Sequence, residues 1–142
     1  MALLALGGLA IGAYLTLYKL GYMGALACSI GSCEKVQTSR WSEFLGLPVA
    51  TWGLGYYAVV LALTTAGARE RCLDSRGLSL GLLVLTGWGT LFSLWLTYLE
   101  LNVIHAICQW CVISAMIAVI LFLLSIVDWR ETKAAAVVVV EA

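Results

Sequence analysis

Charge is the first thing this chain does without. Lys, Arg, Asp and Glu make up 11% of its 142 residues, eight basic against eight acidic, for a formal net charge of zero. No Lys/Arg run occurs, so the electrostatic footprint of a nucleic-acid binder is missing. No phosphate-binding glycine loop, flavin fingerprint, haem signature or acidic metal cluster occurs either, which removes most cofactor chemistries. No Lys or Arg precedes the first apolar run, so the basic start of a signal peptide is absent. Proline occurs once, at Pro48, and histidine once, at His105. There is no internal repeat and no linker long enough to divide the chain, and residues 1–142 read as a single domain.

What is abundant is apolar surface. With 63% hydrophobic residues and a mean hydropathy of +1.00, a chain of this length cannot hide its side chains inside a water-soluble globule. Membrane insertion is the remaining option. Four weakly charged runs predict spans at about 1–20, 47–68, 77–99 and 106–127. The expected fold is therefore an all-α integral membrane protein, a bundle of four transmembrane helices. Lys19 snorkels at the end of the first span, and Pro48 opens the second, where proline suits a first helical turn. Arg69, Glu70, Arg71, Cys72, Asp74 and Arg76 form a charged loop, and residues 101–107 a tight turn into the fourth span. The tail from Glu131 to Ala142 is uninformative.

The loop at about 21–46 has a different character. It carries Cys28 and Cys33 among glycine and serine, then Val36, Trp41, Phe44 and Leu45 spaced among polar residues from Glu34 to Leu45. That pattern predicts a short amphipathic helix in the interface, either a lid over a membrane-embedded site or an ordinary connector. Ala25-Leu26-Ala27-Cys28 faintly matches a lipoprotein cleavage site, which the missing basic start opposes.

Four spans put both termini on one side. If that side is the cytoplasm it holds Arg69, Arg71, Arg76, Arg130 and Lys133, against Lys19, Lys35 and Arg40 outside, in the sense of the positive-inside rule. Cys28, Cys33, Cys108 and Cys111 then all fall on the outer face, where disulfides persist, and only Cys72 faces the cytoplasm.

The chemistry concentrates in Cys108-Gln109-Trp110-Cys111. Thiols three apart on a helix lie roughly 5–6 Å apart at Cβ, and a disulfide needs about 3.8 Å, so a small adjustment joins or parts them. The first turn of a helix also presents free N–H groups that favour a thiolate. Two pairs on one side of a membrane suggest a relay by thiol and disulfide exchange. With no other electron acceptor encoded, a quinone in the bilayer is the available one. Trp110, Trp52, Tyr56, Tyr57, Trp88 and Trp95 are candidates to line a pocket for its ring, or simply to pack helices and form an interfacial belt. The four cysteines also fit a structural zinc site, which an oxidising location opposes. His105 reads as a proton carrier, a ligand or an interfacial residue.

The order Cys28…Cys33, Ser39, then Trp52-Gly53-Leu54-Gly55-Tyr56-Tyr57 and a last span opened by Cys108-x-x-Cys111 resembles the vitamin K epoxide reductase family. The resemblance runs from the first span to about Val127. It implies a four-helix bundle around a quinone, capped from the outer side by the loop and a half-helix. It implies that a thioredoxin-like partner attacks Cys28, that Cys33 shuttles to Cys108, and that Cys111 is the thiolate that reduces the quinone, whether menaquinone, ubiquinone or vitamin K. Ser39 matches the family hydroxyl that orders the loop. Vertebrate-type members carry a tyrosine where Ala115 stands and an asparagine where Val49 stands, both at the ring site. Their replacement places epoxide reduction and coumarin sensitivity in doubt. The expected setting is a bacterial plasma membrane with the site on the outer face, or alternatively an endoplasmic reticulum membrane with a luminal site, supporting disulfide formation in secreted proteins or vitamin K reduction. Two other readings remain open, a DsbB-type disulfide oxidase and a non-enzymatic four-span scaffold. The first carries its Cys-x-x-Cys in the first outer loop, the reverse of the order here.

Overall fold

The computed structural model describes residues 1–69 and 75–141, with side chains described at 1–68 and 76–134. Five α-helices account for most of them: α1 (Ala2–Lys19), the short α2 (Cys33–Thr38), α3 (Val49–Arg69), α4 (Ser75–Leu99) and α5 (Gln109–Glu141). The four long ones carry stretches apolar enough to cross a bilayer, at Ala2–Lys19, Val49–Ala68, Arg76–Ile104 and Gln109–Ala134. At most 28% of any such stretch is buried within the protein. Much of the rest, including Leu3, Val84, Leu91 and Leu94, is apolar surface suited to lipid. The protein is an integral membrane protein.

In the bundle, α1 lies along α3 and α4 along α5, and the two pairs meet through contacts of α1 with α5 and of α3 with α4. Water drives none of this inside a bilayer, so close backbone approach and interhelical hydrogen bonds must. Gly12 supplies the first: a Cβ there would stand 3.1 Å from the Leu54 backbone. Tyr57 supplies the second, its hydroxyl donating to the Ser114 carbonyl at 2.7 Å and lying 2.9 Å from Ser114 Oγ. Between α4 and α5, Thr86 donates to Ser125 Oγ at 3.1 Å and Ser79 to the Asp128 carboxylate. Ala5, Tyr57, Val60, Leu82 and Leu121 form the apolar centre.

Several expected boundaries move. The amphipathic segment from Glu34 to Leu45 is not one helix. It is α2, a 3₁₀ turn at Arg40–Ser42, and a hairpin of β1 (Glu43–Phe44) with β2 (Leu47–Pro48). The hairpin turn needs two residues at positive φ, and Leu45 and Gly46 take them at 55° and 80°. Pro48 therefore ends a strand instead of opening a helical turn, and α3 begins at Val49. The tight turn expected at 101–107 is a π-helical continuation of α4 over Glu100–Ile104, closed by His105 in the left-handed region at φ 52°. α5 runs well past the expected end at Val127, to Glu141. Cys72 lies outside the described residues.

Candidate active site

Everything that bears on the chemistry gathers at one end of the bundle. Cys28 and Cys33 form a disulfide, while Cys108 and Cys111 are free thiols. Cys33 and Cys108 are 1% and 0% exposed and sit in one buried cluster, with Cys28, Cys111 and Trp110 packed against it. The two pairs that sequence placed 75 residues apart, from Cys33 to Cys108, are thus brought together.

The contact is made by backbone and by the residues inside the Cys-x-x-Cys motif. Gly31 pairs with Cys108 in an antiparallel bridge, and the Ser32 N–H donates to the Ile107 carbonyl at 2.9 Å. Gln109 turns its side-chain carbonyl to the loop and accepts from the Ser29 and Ile30 N–H groups, each at 3.2 Å. Trp110 donates its indole N–H to the Ala27 carbonyl at 2.8 Å and packs on Tyr14, whose hydroxyl accepts from the Ala27 N–H. The motif therefore grips the loop on both sides of Cys28. We expect Gln109→Ala to slow electron passage from loop to helix about tenfold, because two backbone donors lose their acceptor. Rapid-quench thiol labelling would measure it, and an unchanged rate would remove Gln109 from that role.

Cys108 does not lie within the helix but immediately before it, in the capping position. A sulfur there takes the part of an N-cap oxygen. The Cys111 thiol hydrogen-bonds to it, and the backbone N–H groups of Cys111 and Trp110 add to that, so the Cys108 thiol is lowered to about 7 despite its burial. Since the thiolate is the reactive form, the thiolate absorbance of the reduced helix pair should rise with pH through about 7 as Cys108 ionises, well below an ordinary thiol. A rise centred near 9 would contradict this capping.

Cys111 faces the other way. It borders a cavity of about 740 Å³ between the helices and beneath the hairpin, a volume typical of small-molecule sites. The Gln37 amide donates to Cys111 Sγ at 3.7 Å, and the Glu100 carboxyl contacts the same thiol while accepting the Cys108 N–H at 3.2 Å. Of the expected ring contacts, Trp52, Tyr56, Val49 and Ala115 border this cavity, as do Tyr57, Trp88 and Trp95. Trp110 does not: it is engaged with Tyr14 and Ala27. Ser39 also borders the cavity, where its hydroxyl donates to the Val36 carbonyl at 2.8 Å and ends α2. Cys28 and Cys33 border a separate groove on the loop side, with Glu34 and Lys35.

Residues 1–126 match the Vitamin K epoxide reductase family. The chain belongs to that family. Vitamin K epoxide reductase family members are oxidoreductases that link thiols to quinones, and they typically work with thioredoxin-like partners. Membership sets the scaffold reading aside, and the loop disulfide takes two sulfurs out of any zinc set. Among the described residues no three His, Cys, Asp or Glu side chains converge as a metal site.

Three neighbours of the site escaped sequence reading. Gln37 was one polar residue on an amphipathic segment, and Glu100 marked only the end of a span. Glu100 had a usable signal, being a lone carboxylate between two apolar runs. Lys19, expected to snorkel toward the interface, donates to the Gln37 carbonyl and Ser42 Oγ, both at 2.8 Å, and pairs with Glu43 at 3.4 Å. It ties α1 to the cap over the cavity. His105 is exposed, its ring 3.1 Å from the Leu101 carbonyl.

Proposed function

We propose that this family member oxidises a thioredoxin-like partner outside the cytoplasm and passes the electrons to a quinone dissolved in the bilayer, sustaining disulfide formation in secreted proteins. The observation that carries the reading is how the four sulfurs are distributed. Cys28 and Cys33 border the loop-side groove, Cys108 is buried between, and Cys111 borders the apolar cavity. Electrons taken from water-soluble thiols thereby have a path to a lipid-soluble ring.

The steps balance as thiol and disulfide exchanges. A partner thiolate attacks Cys28, breaking its bond to Cys33; the partner's second thiol displaces Cys28 and leaves with a disulfide. Cys33 then attacks Cys108 of the oxidised helix pair, releasing Cys111. Cys28 attacks Cys33, restoring the loop disulfide and releasing Cys108. The Cys108 and Cys111 thiols finally give two electrons and two protons to the quinone, forming their own disulfide and a hydroquinone. The form seen in the structure, loop joined and helix pair free, is the one poised for that last step.

The cavity wall is apolar at Val49 and Ala115. This supports quinone reduction and leaves the cavity without the tyrosine and asparagine that vertebrate-type members carry at these two positions. Arg76, Arg130 and Lys133 lie on segments away from the site and Lys19, Lys35 and Arg40 beside it, in keeping with an outward-facing site in a bacterial plasma membrane.

The test is a reconstituted assay with a short-chain quinone and either a reduced thioredoxin-fold protein or a small dithiol. One quinone should be reduced per partner disulfide formed. Cys28→Ala should stop the protein donor and spare the small one. Thiol oxidation that ignores quinone would overturn the proposal.

A further inference from the structure

Glu100 is a buried carboxyl that the relay above does not use. It is 5% exposed, yet no Lys, Arg or His side chain pairs with it among the described residues. A charge so placed is costly and calls for a reason. Its surroundings are specific. The π-helical turn that begins at Glu100 adds a residue to the last winding of the third span, and such turns tend to mark functional positions. The Ala106 N–H closes that turn on the Glu100 carbonyl at 3.1 Å. The carboxyl is thereby presented to Cys108 and Cys111, the two titratable groups that face it, and it also borders the cavity. Among the described residues it is the only carboxyl on that wall.

Transfer of electrons to a quinone must be matched by protons. The ring oxygens gain two, the two thiols lose two, and the cavity between them is otherwise lined mainly by hydrocarbon. Cys111 and Glu100 border the same cavity, Glu100 holds the Cys108 N–H, and Cys111 packs against Cys108, so the Glu100 carboxyl and the Cys108 sulfur are the neighbours to which the Cys111 thiol proton can pass.

We propose that Glu100 is the proton carrier of the quinone step, taking the proton from Cys111 as that sulfur gives up its electrons and delivering it to an oxygen of the ring. In atoms, the Cys111 sulfur donates an electron pair to the quinone and its proton passes to the Glu100 carboxylate. Cys108 then attacks Cys111 Sγ, the new S–S bond forms, and the pair stays with the ring. The Glu100 proton neutralises one ring oxygen. The other oxygen takes up a second proton, matched by the one that Cys108 loses. The carboxylate is regenerated and the sum is two thiols plus quinone giving one disulfide plus hydroquinone.

This rests on the quinone-linked reading, and the experiment separates the two. Protein with the helix pair reduced is mixed with a short-chain quinone, and quinone loss is followed in a single turnover. Transfer between the cysteine pairs is read separately by quenched thiol labelling. Glu100→Gln keeps an acceptor for the Cys108 N–H but cannot exchange a proton. It should slow quinone reduction about 100-fold or more, the usual weight of general acid–base catalysis, and leave transfer between the pairs within threefold. Glu100→Asp should stay nearer wild type than Glu100→Gln. Formate added to Glu100→Ala should restore part of the rate, which a merely structural carboxyl would not allow. A Gln variant within threefold of wild type, equal losses in the Asp and Gln variants, or a loss shared with transfer between the pairs would overturn the proposal and leave the quinone reading standing. Wild-type protein that fails to reduce quinone would overturn both. If thermal unfolding shows that the Gln variant is not folded, the Ala variant with and without formate decides.

Discussion

Replacing Cys111 by alanine is expected to abolish quinone reduction with every donor, a fall of at least about 1,000-fold, as when the reacting nucleophile of an enzyme is removed. The reason is spatial. Of the four sulfurs at the site, Cys111 alone borders the cavity, while Cys108 is 0% exposed. Without Cys111 no sulfur meets the ring, and Cys108 has no partner with which to form the disulfide that locks in the electron transfer. A protein donor and a small dithiol should fail equally, because both feed the same last sulfur. Cys111→Ser makes a useful companion, since its hydroxyl keeps an atom for the Gln37 amide and so preserves the cap. The check is quinone absorbance in the reconstituted system with each donor in turn. Turnover that survives in either variant would assign the terminal step to another group.

The second large effect is expected at Gly31, which borders the loop-side groove and not the cavity. Gly31 lies at φ 86°, and a Cβ there would run into the carbonyl oxygen of Ile107. That oxygen is also the acceptor for Ser32. An L-residue in the left-handed region costs about 1–2 kcal/mol, and the clash must be relieved as well. Gly31→Ala should therefore lift the loop off the start of α5 and carry Cys33 away from Cys108. Misplacement on that scale costs on the order of 100-fold in rate. Exchange between the pairs should fall by about that much, while a small dithiol that reaches the helix pair directly should still support quinone reduction. Trapping makes the comparison direct: with Cys28 and Cys111 replaced by serine, Cys33 and Cys108 should form a stable mixed disulfide, and the added Gly31→Ala should suppress it. A crosslink of undiminished yield would show that loop docking does not depend on this glycine.

Both predictions draw on features with different legibility. The cysteine spacing could be read directly, because thiol chemistry depends on which residues are present and how far apart they lie along a helix. Gly31 was visible only as part of a flexible-looking loop; its requirement for positive φ comes from pairing with a strand-like segment 77 residues later, from Gly31 to Cys108. The segment after it misled in a similar way. The apolar spacing from Glu34 to Leu45 has helical period, yet the chain leaves the helix at Thr38. Ser39 caps α2 through its hydroxyl, and the Leu45-Gly46 pair accepts the turn that a hairpin needs. Local caps and turn residues overrode a weak period. Trp110, one of the candidate ring-lining aromatics, turns its indole to Tyr14 on α1 and to the loop at Ala27.

Composition and its apolar runs by themselves determined that this is a membrane bundle of four spans, and the cysteine pattern pointed to thiol chemistry. Both follow from properties that a residue carries wherever it sits, namely transfer free energy and thiol reactivity. The tertiary structure decided which sulfur meets the cavity, that Gln109 and Trp110 clamp the loop, and that Lys19, Gln37 and Glu100 converge on the site. Those depend on the rotation of each helix and on single hydrogen bonds between distant segments. A linear pattern does not encode them, because a rotation of about 100° per residue moves a side chain from lipid to cavity with no change in composition.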